Sequence, residues 1–298
     1  MKKSKTKYSK FNKYFFDRVN RLKSLNYEAL LKEAMLNSDY DAIQLMTNMR
    51  SFSEHGYENI FIETEELYDF LKDTKIITHG DISSQLYSAI ENRKYARPSD
   101  LLEGITGYNE LELKRYNFMV YGPINVINTA LAVTLNVTNK EIEYLQKPNE
   151  HTKNKYRVNV ASLFFNSLCF SGNMDYDTQR MLLAENAFKS KTNWPKKVDE
   201  DFHVIINMLF YMNAFPDYVY EGVPKRAIID SEIFTKKRIT ITPNEKLFEE
   251  MKKSPHLRRG HFRTFSSDYY SNMKGKTIWI EPTFVMGNAV TVEDGISV

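Results

Sequence analysis

The sequence has one cysteine and no long apolar run, and both scarcities exclude classes of protein. Cys169 alone cannot form an intramolecular disulfide framework or a zinc site with several cysteines. It lies in the apolar run 163–170, which favours an inert core thiol over a nucleophile. The apolar-rich runs 158–170 and 204–215 are shorter than the roughly 18 residues that span a bilayer. Because residues 1–24 also lack the apolar segment of a signal peptide, we expect a soluble, cytoplasmic protein without membrane contact.

The glycine-rich motifs of nucleotide-binding enzymes are also missing. No Gly-x-Gly occurs, which excludes the dinucleotide fingerprint and the kinase glycine loop, and there is no Walker A loop. The sequence contains no Gly-x-Ser-x-Gly, no His-Glu-x-x-His and no EF-hand loop. The segment Gly104-Ile105-Thr106-Gly107 has the spacing of the loop that contacts RNA in KH modules. Glu103 and Glu110 flank it and would repel phosphate, so the pattern favours a plain turn.

Acidic residues are nearly absent from the amino-terminal end. Residues 1–24 hold seven lysines and two arginines against one aspartate, a charge of +8, so the total of +3 leaves −5 for residues 25–298. Helical spacing of apolar residues predicts a basic amphipathic helix over Tyr8–Leu25. Such a helix can bind a membrane, nucleic acid or a partner's groove; the alternative is an ordinary surface helix with a frayed lysine-rich start. The basic arm Lys2–Lys23 is therefore one candidate contact surface.

The apolar patterning predicts an α+β protein, with a mainly helical body and a β-rich carboxyl-terminal region that includes a β-hairpin. We divide it into a helical region with the basic arm and short strands over 1–150, a helical region over 151–217 and a β-rich region over 218–298. The polar stretch 147–155 marks the first boundary.

Individual segments carry more specific predictions. Apolar spacing predicts helices at 83–93, 158–170 and 195–213, the last with a proline in its first turn. Short strands are predicted at 60–62, 116–121, 219–220, 227–229 and 238–241, and short helices at 64–72 and 244–252. The segment 124–137 fits either a buried helix or two strands.

The most distinctive stretch is Ser254–Arg263, which holds two histidines and three arginines and no acid. We predict a β-hairpin with arms at 261–265 and 276–280, in which alternation buries Phe262 opposite Ile278 or Trp279. The opposite face, with Arg263, suits an anion, either a phosphate or an acidic protein surface. The candidate binding residues are His256, Arg258, Arg259, His261, Arg263 and Trp279.

Two interpretations of this stretch remain open. His256 and His261 could act as acid and base at a phosphodiester while an arginine stabilises the charge. In the structural alternative, Gly260 supplies a positive-φ turn, and the arginines stack on Trp279 or pair with Glu281. Because no nucleophile or metal set accompanies the histidines, we favour the structural alternative and assign no catalytic residue and no cofactor.

One pair of residues has the spacing of metal ligands. Asp199 and His203 lie four residues apart on a predicted helix, as in some divalent-metal sites. The helix dipole explains acids in a first turn equally well, and we identify no third ligand. We therefore predict no metal site.

The motif His256-x-Arg-Arg-Gly-His-Phe-Arg263, followed by Gly275-Lys276-x-x-Trp-Ile-x-Pro282 and Gly287, resembles a carboxyl-terminal module of phage and mobile-element proteins. In size and in its lysine-rich front, the chain also resembles phage inhibitors of bacterial defence, for example the Gabija anti-defence proteins. This second resemblance implies a non-enzymatic protein that sheathes or blocks a host nucleic-acid-processing complex, and it carries over no site residues.

Two functions follow as expectations. The first is a phage-type protein, with a host protein complex as partner, that inhibits a defence system by steric occlusion; we further expect a homo-oligomer. The second is a protein that binds nucleic acid or processes phosphodiesters through the His/Arg-rich hairpin and the basic arm.

Overall fold

The structure is a computed structural model that describes most of the chain. The described residues are 5–11, 13, 16–17, 20–21, 27–37, 46, 50–54, 56–76, 82–95, 100–103, 112–128, 130–138, 157–162, 166–171, 196–225, 227–229, 237–252, 260–265, 269 and 271–280.

Five helices and twelve strands make up the described elements. The helices are α1 (Tyr27–Leu36), α2 (Glu65–Asp73), α3 (Ile82–Asn92), α4 (Lys196–Ala214) and α5 (Glu245–Lys252), with a 3-10 turn at Pro216–Tyr218. The strands are β1 (Thr6–Lys7), β2 (Glu58–Ile62), β3 (Asp100–Glu103), β4 (Glu112–Tyr121), β5 (Leu131–Thr138), β6 (Arg157–Ser162), β7 (Asn166–Ser171), β8 (Val219–Glu221), β9 (Ala227–Ile228), β10 (Arg238–Ile241), β11 (His261–Thr264) and β12 (Thr277–Ile280).

The central element is a mixed sheet of eight strands in the order β7-β6-β5-β4-β2-β10-β8, with β3 paired to β4. Strands β4, β2 and β10 run parallel, and the other pairs are antiparallel. Strand β4 is long enough to pair with β5 along one edge and with both β3 and β2 along the other. All five residues of β2 are buried, as expected for a strand at the centre of a covered sheet.

Helices α2, α3, α4 and α5 bury their apolar faces against one side of this sheet. Helix α2 begins where the sequence predicts, because the Thr64 hydroxyl accepts a hydrogen bond from the Leu67 amide at 3.1 Å, and two glutamates occupy its first turn. The longest helix, α4, places Phe202, Leu209 and Tyr211 in this core with no exposed surface. It contacts α2, α3 and both strands of the β11–β12 hairpin.

The opposite side of the sheet is covered by a smaller apolar cluster. Phe61 and Tyr121 project to this side, and their rings stack with centroids 4.9 Å apart. Tyr8 from the amino-terminal end packs edge-on against Phe61 at 5.8 Å. The two clusters cover the centre of the sheet on both sides, where β2, β4 and β5 carry buried apolar residues on each face.

The structure corrects the predicted helix over 158–170. Strands β6 and β7 occupy both ends of this range and pair antiparallel, with Val158 opposite Phe170 and Val160 opposite Leu168. Arg157-Val158-Asn159-Val160 alternates polar and β-branched residues, which is a strand pattern, and the length of the apolar run hid it. The ambiguous segment 124–137 contains a turn followed by β5.

A second correction concerns the start of the chain and the secondary structure of the residues before 218. Residues 6–7 form β1 and Tyr8 forms a bridge, so the predicted helix over Tyr8–Leu25 does not begin at Tyr8. Seven strands precede residue 218 among the described residues, so the helices of the body pack on a sheet that the sequence did not predict in full. Helices and a mixed sheet coexist as the α+β class requires, and strands from all three predicted regions pair in one sheet.

Candidate functional site

The β11–β12 hairpin, predicted as an anion-binding element, packs one face into the helical core. Phe262 and Trp279 lie directly opposite each other in the register, and their ring centroids are 4.9 Å apart. Phe262 is 4% exposed, and both rings contact Phe70 of α2, at 6.0 Å and 5.0 Å. Trp279 is half-buried, so much of its indole contributes to packing.

Gly260 is required for packing and not for a turn. Its φ is not positive, in contrast to the expectation that it supplies a positive-φ turn. A Cβ atom at this position would lie 2.8 Å from the carbonyl oxygen of Ile280 and would overlap the indole of Trp279. The turn glycine of the hairpin is Gly275, which has φ +80° and donates from its amide to Phe265 at 2.7 Å.

The structure brings together two of the predicted basic residues. His261 and Arg263 lie two residues apart on the face of β11 opposite Phe262, and both are half-buried. The Arg263 guanidinium lies 5.2 Å from the ring centroid of Phe265, a cation–π distance. His256, Arg258 and Arg259 lie outside the described residues, so a shared anion site with them stays a prediction.

A second candidate surface is the strap, which we define as residues 5–11. It runs between two parts of the body: the amide of Tyr8 donates to Ile228 at 3.2 Å, and the amide of Ile124 donates to Lys7 at 3.0 Å. The amide of Lys10 donates to Asn128 at 3.1 Å, which continues the anchoring. The strap is thus held on both edges by backbone hydrogen bonds.

The strap combines two buried anchors with exposed cations on either side of them. Tyr8 and Ser9 are 5% and 0% exposed, whereas Lys5, Lys7 and Lys10 are exposed, as is Lys13 just beyond the strap. We call these four lysines the lysine row. Three of the basic residues assigned to the arm Lys2–Lys23 are therefore displayed by the anchored strap, and the fourth, Lys13, is the first helical residue described.

Ser9 is the principal side-chain anchor of the strap. Its hydroxyl accepts a hydrogen bond from the Gly122 amide at 3.0 Å and lies 2.9 Å and 2.7 Å from the carbonyl oxygens of Gly122 and Ile127. Because these groups are buried, removal of the hydroxyl takes a partner from the Gly122 amide and the Ile127 carbonyl, while the Gly122 carbonyl still accepts from the Ser9 amide.

We expect Ser9→Ala to lower the free energy of unfolding by about 1–3 kcal/mol, measured by urea denaturation. The control is Thr6→Ala in the same strap, because the exposed Thr6 should change stability by less than about 0.5 kcal/mol. Equal effects of the two substitutions would contradict the anchoring.

The strap also crosses the carboxyl ends of parallel strands, where α/β sheets commonly bind ligands. The Tyr8 hydroxyl donates to the carbonyl oxygen of Glu63, the residue after β2, at 2.6 Å. Burial raises the pKa of Tyr8 above its usual range and also raises the pKa of Glu63, while the charge of Lys225 opposes the second shift. The contact between Tyr8 and Glu63 could not be predicted from the sequence, because the two residues are 55 positions apart.

The pair Asp199 and His203 lies on α4, as the spacing predicts. The His203 Nδ1 atom lies 3.2 Å from the carbonyl oxygen of Lys72, which gives this imidazole a hydrogen-bond partner at the end of α2. Across the part of the chain that the structure describes, no three His, Cys, Asp or Glu side chains group as metal ligands would.

Comparison with known proteins gives no family for this chain. No protein-family model, no curated protein and no solved structure matches it. The resemblance of residues 256–287 to a phage module therefore stays a prediction. Among the described helices, none is long and apolar enough to cross a membrane.

Proposed function

We propose that this chain is a phage-type binding protein that docks on the acidic surface of a host macromolecular complex and blocks it by occlusion. The observation that carries the proposal is the anchored lysine row. The phage character rests on the resemblance of residues 256–287 to a phage module, and the target would be a nucleic-acid-processing defence complex.

Anchoring favours docking because it reduces the entropy lost on binding. The strap is already ordered by hydrogen bonds on both edges, so its lysines need to order only their side chains at the interface. A basic arm without these bonds would also lose backbone entropy, about 1–2 kcal/mol for each residue that becomes fixed.

The strap surface also offers an apolar contact. Strand β9 pairs parallel with β1 and sets Ile228 beside Lys7, and Ile228 is 46% exposed. The Ile228 side chain can lose its contact with water at the centre of an interface, while the surrounding lysines form the charged rim. This is the usual arrangement of a protein interface. This combination favours a protein partner with acidic groups around an apolar depression.

Nucleic acid binding is the second candidate function, because the same lysine row could neutralise phosphates. A phosphate backbone presents a regular array of charges, and the affinity of such contacts falls steeply with salt. Ile228 would contribute little to a sugar-phosphate surface, so the second candidate leaves this exposed side chain unexplained.

Capture from a bacterial lysate distinguishes the two functions. We expect the tagged protein to retain a stable protein complex after nuclease treatment, in 150–300 mM salt, because part of the binding energy is apolar. Mass spectrometry would identify the retained subunits. Loss of all captured material on nuclease treatment would reject occlusion of a protein surface and support nucleic acid binding.

A further inference from the structure

A buried arginine lies on the helical side of the sheet, away from the strap, and one edge of its guanidinium has no hydrogen-bond partner among the described residues. Arg93 follows α3 and is 3% exposed. Its Nη1 atom donates to the carbonyl oxygen of Ile90 at 2.6 Å, and its guanidinium lies 4.9 Å from the ring centroid of Tyr116. Among the residues that the structure describes, its Nε and Nη2 atoms have no hydrogen-bond partner.

Those two atoms form one edge of the guanidinium. Nε–H and one Nη2–H point in the same direction, which is the geometry that binds two oxygens of one carboxylate or phosphate. A buried charged donor without a partner is costly, so such an edge is usually occupied. The described side chains therefore leave a specific bidentate anion-binding position at Arg93.

The nearest carboxylates do not fill this position, because each is bound to another group. Glu58 lies 2.9 Å from the Lys237 ammonium, and Glu91 lies 2.9 Å from the Lys114 ammonium. Glu91 also accepts a short hydrogen bond from the Tyr116 hydroxyl. Burial lowers the pKa of Arg93, and the charges of Glu58 and Glu91 act against this shift.

An independent observation beside Arg93 is the backbone of Tyr95. Its φ of +65° makes it a non-glycine residue in the left-handed region, a strained conformation that is concentrated at functional sites. The ammonium groups of Lys94 and Lys237 lie 5.4 Å and 5.7 Å from the centroid of its ring. The cluster thus holds four cations, from Arg93, Lys94, Lys114 and Lys237, against two carboxylates.

We propose that the Nε–Nη2 edge of Arg93 binds a phosphate group. The excess of two positive charges matches a phosphate near neutral pH better than a carboxylate. A free phosphate and the terminal phosphate of a nucleotide share the chemistry that this site recognises, a tetrahedral dianion held by one arginine fork.

The direct test is an NMR titration of the full chain labelled with ¹⁵N-arginine. The Nε signal of Arg93, assigned by its absence in Arg93→Lys, should shift and saturate with inorganic phosphate at constant ionic strength. Sodium acetate should shift the signal less than phosphate does. Adenosine monophosphate is titrated in the same way, and saturation at a lower concentration than inorganic phosphate would show that the site takes the terminal phosphate of a nucleotide. An Arg93 signal that does not respond to phosphate or the nucleotide, or that responds equally to acetate, would overturn the proposal.

Thermal unfolding provides the second measurement. Saturating phosphate should raise the Tm of the wild-type protein by at least about 2 °C and leave that of Arg93→Lys unchanged. The control is Arg50→Gln, since Arg50 is exposed and paired with Glu54 at 2.8 Å; it should keep the full phosphate effect. If Arg93→Lys does not fold, the Arg93 Nε signal is assigned in the wild-type protein from its proximity to the Tyr116 ring, and the NMR titration still decides the question. An equal rise in Tm for all three proteins would reject the site as non-specific anion binding.

Discussion

Replacing Phe262 with alanine is expected to lower the free energy of unfolding by about 3–5 kcal/mol, the usual cost of removing a buried phenyl ring. Phe262 is the contact through which the β11–β12 hairpin joins the helical core. The rings around it come from α2, from α4 and the residue following it, and from β12, with centroids 4.9–6.2 Å away: Phe70, Phe210, Tyr211, Phe215 and Trp279. The hole left by alanine has rigid walls, since Phe70 and Tyr211 are also buried, and it cannot easily collapse.

Urea unfolding followed by circular dichroism measures this loss. The matched control is Tyr269→Ala, which removes an aromatic ring that is 86% exposed and should change stability by less than about 0.5 kcal/mol. A Phe262→Ala protein as stable as Tyr269→Ala would show that the hairpin does not dock on the core. The orientation of His261 and Arg263 on the outer face would then lose its structural basis.

Much of the central sheet and its helices could be predicted from the sequence. Ile60-Phe61-Ile62 and Arg238-Ile239-Thr240-Ile241 are short β-branched runs bounded by polar residues, and both form strands. Helix α2 is marked by Thr64 and two glutamates, and α4 by a proline just before it. In each case local chemistry and tertiary packing favour the same conformation.

Other parts could not be predicted, because distant contacts decide them. Tyr8 and Ser9 become extended because they pair with residues more than 110 positions away, and no local pattern reports those partners. The helix expected at 158–170 failed because an apolar run of that length suits a buried strand pair as well as a helix. Arg93 carries no sequence motif, since its significance depends on burial beside Tyr116 and Glu58.

For the candidate sites, too, the residue types could be predicted from the sequence, whereas their attachment to the fold could not. The composition of residues 256–263 indicated an anion-binding stretch, and the structure positions His261 and Arg263 on one strand face. The positive charge of the amino-terminal end was also evident from the sequence. Its rigid attachment across the carboxyl ends of β2 and β4 was not, and this attachment turns a basic arm into a defined surface.

The lysine row is the proposed docking surface, and reversing its charge tests this proposal. The variant Lys5→Glu, Lys7→Glu, Lys10→Glu and Lys13→Glu should reduce the amount of host complex captured by at least about tenfold. Each reversal removes an attraction and adds a repulsion at the proposed interface, which lowers the association rate and weakens the bound state. All four side chains are exposed, so the Tm should change little.

The decisive comparison is with four lysines exposed elsewhere: Lys32, Lys75, Lys246 and Lys276. Reversing these to glutamate changes the net charge by the same amount and leaves the strap intact. We expect this second variant to capture the host complex as the wild-type protein does, while the lysine-row variant loses it at equal Tm. Equal capture by the two variants would contradict the claim that the strap is the docking surface.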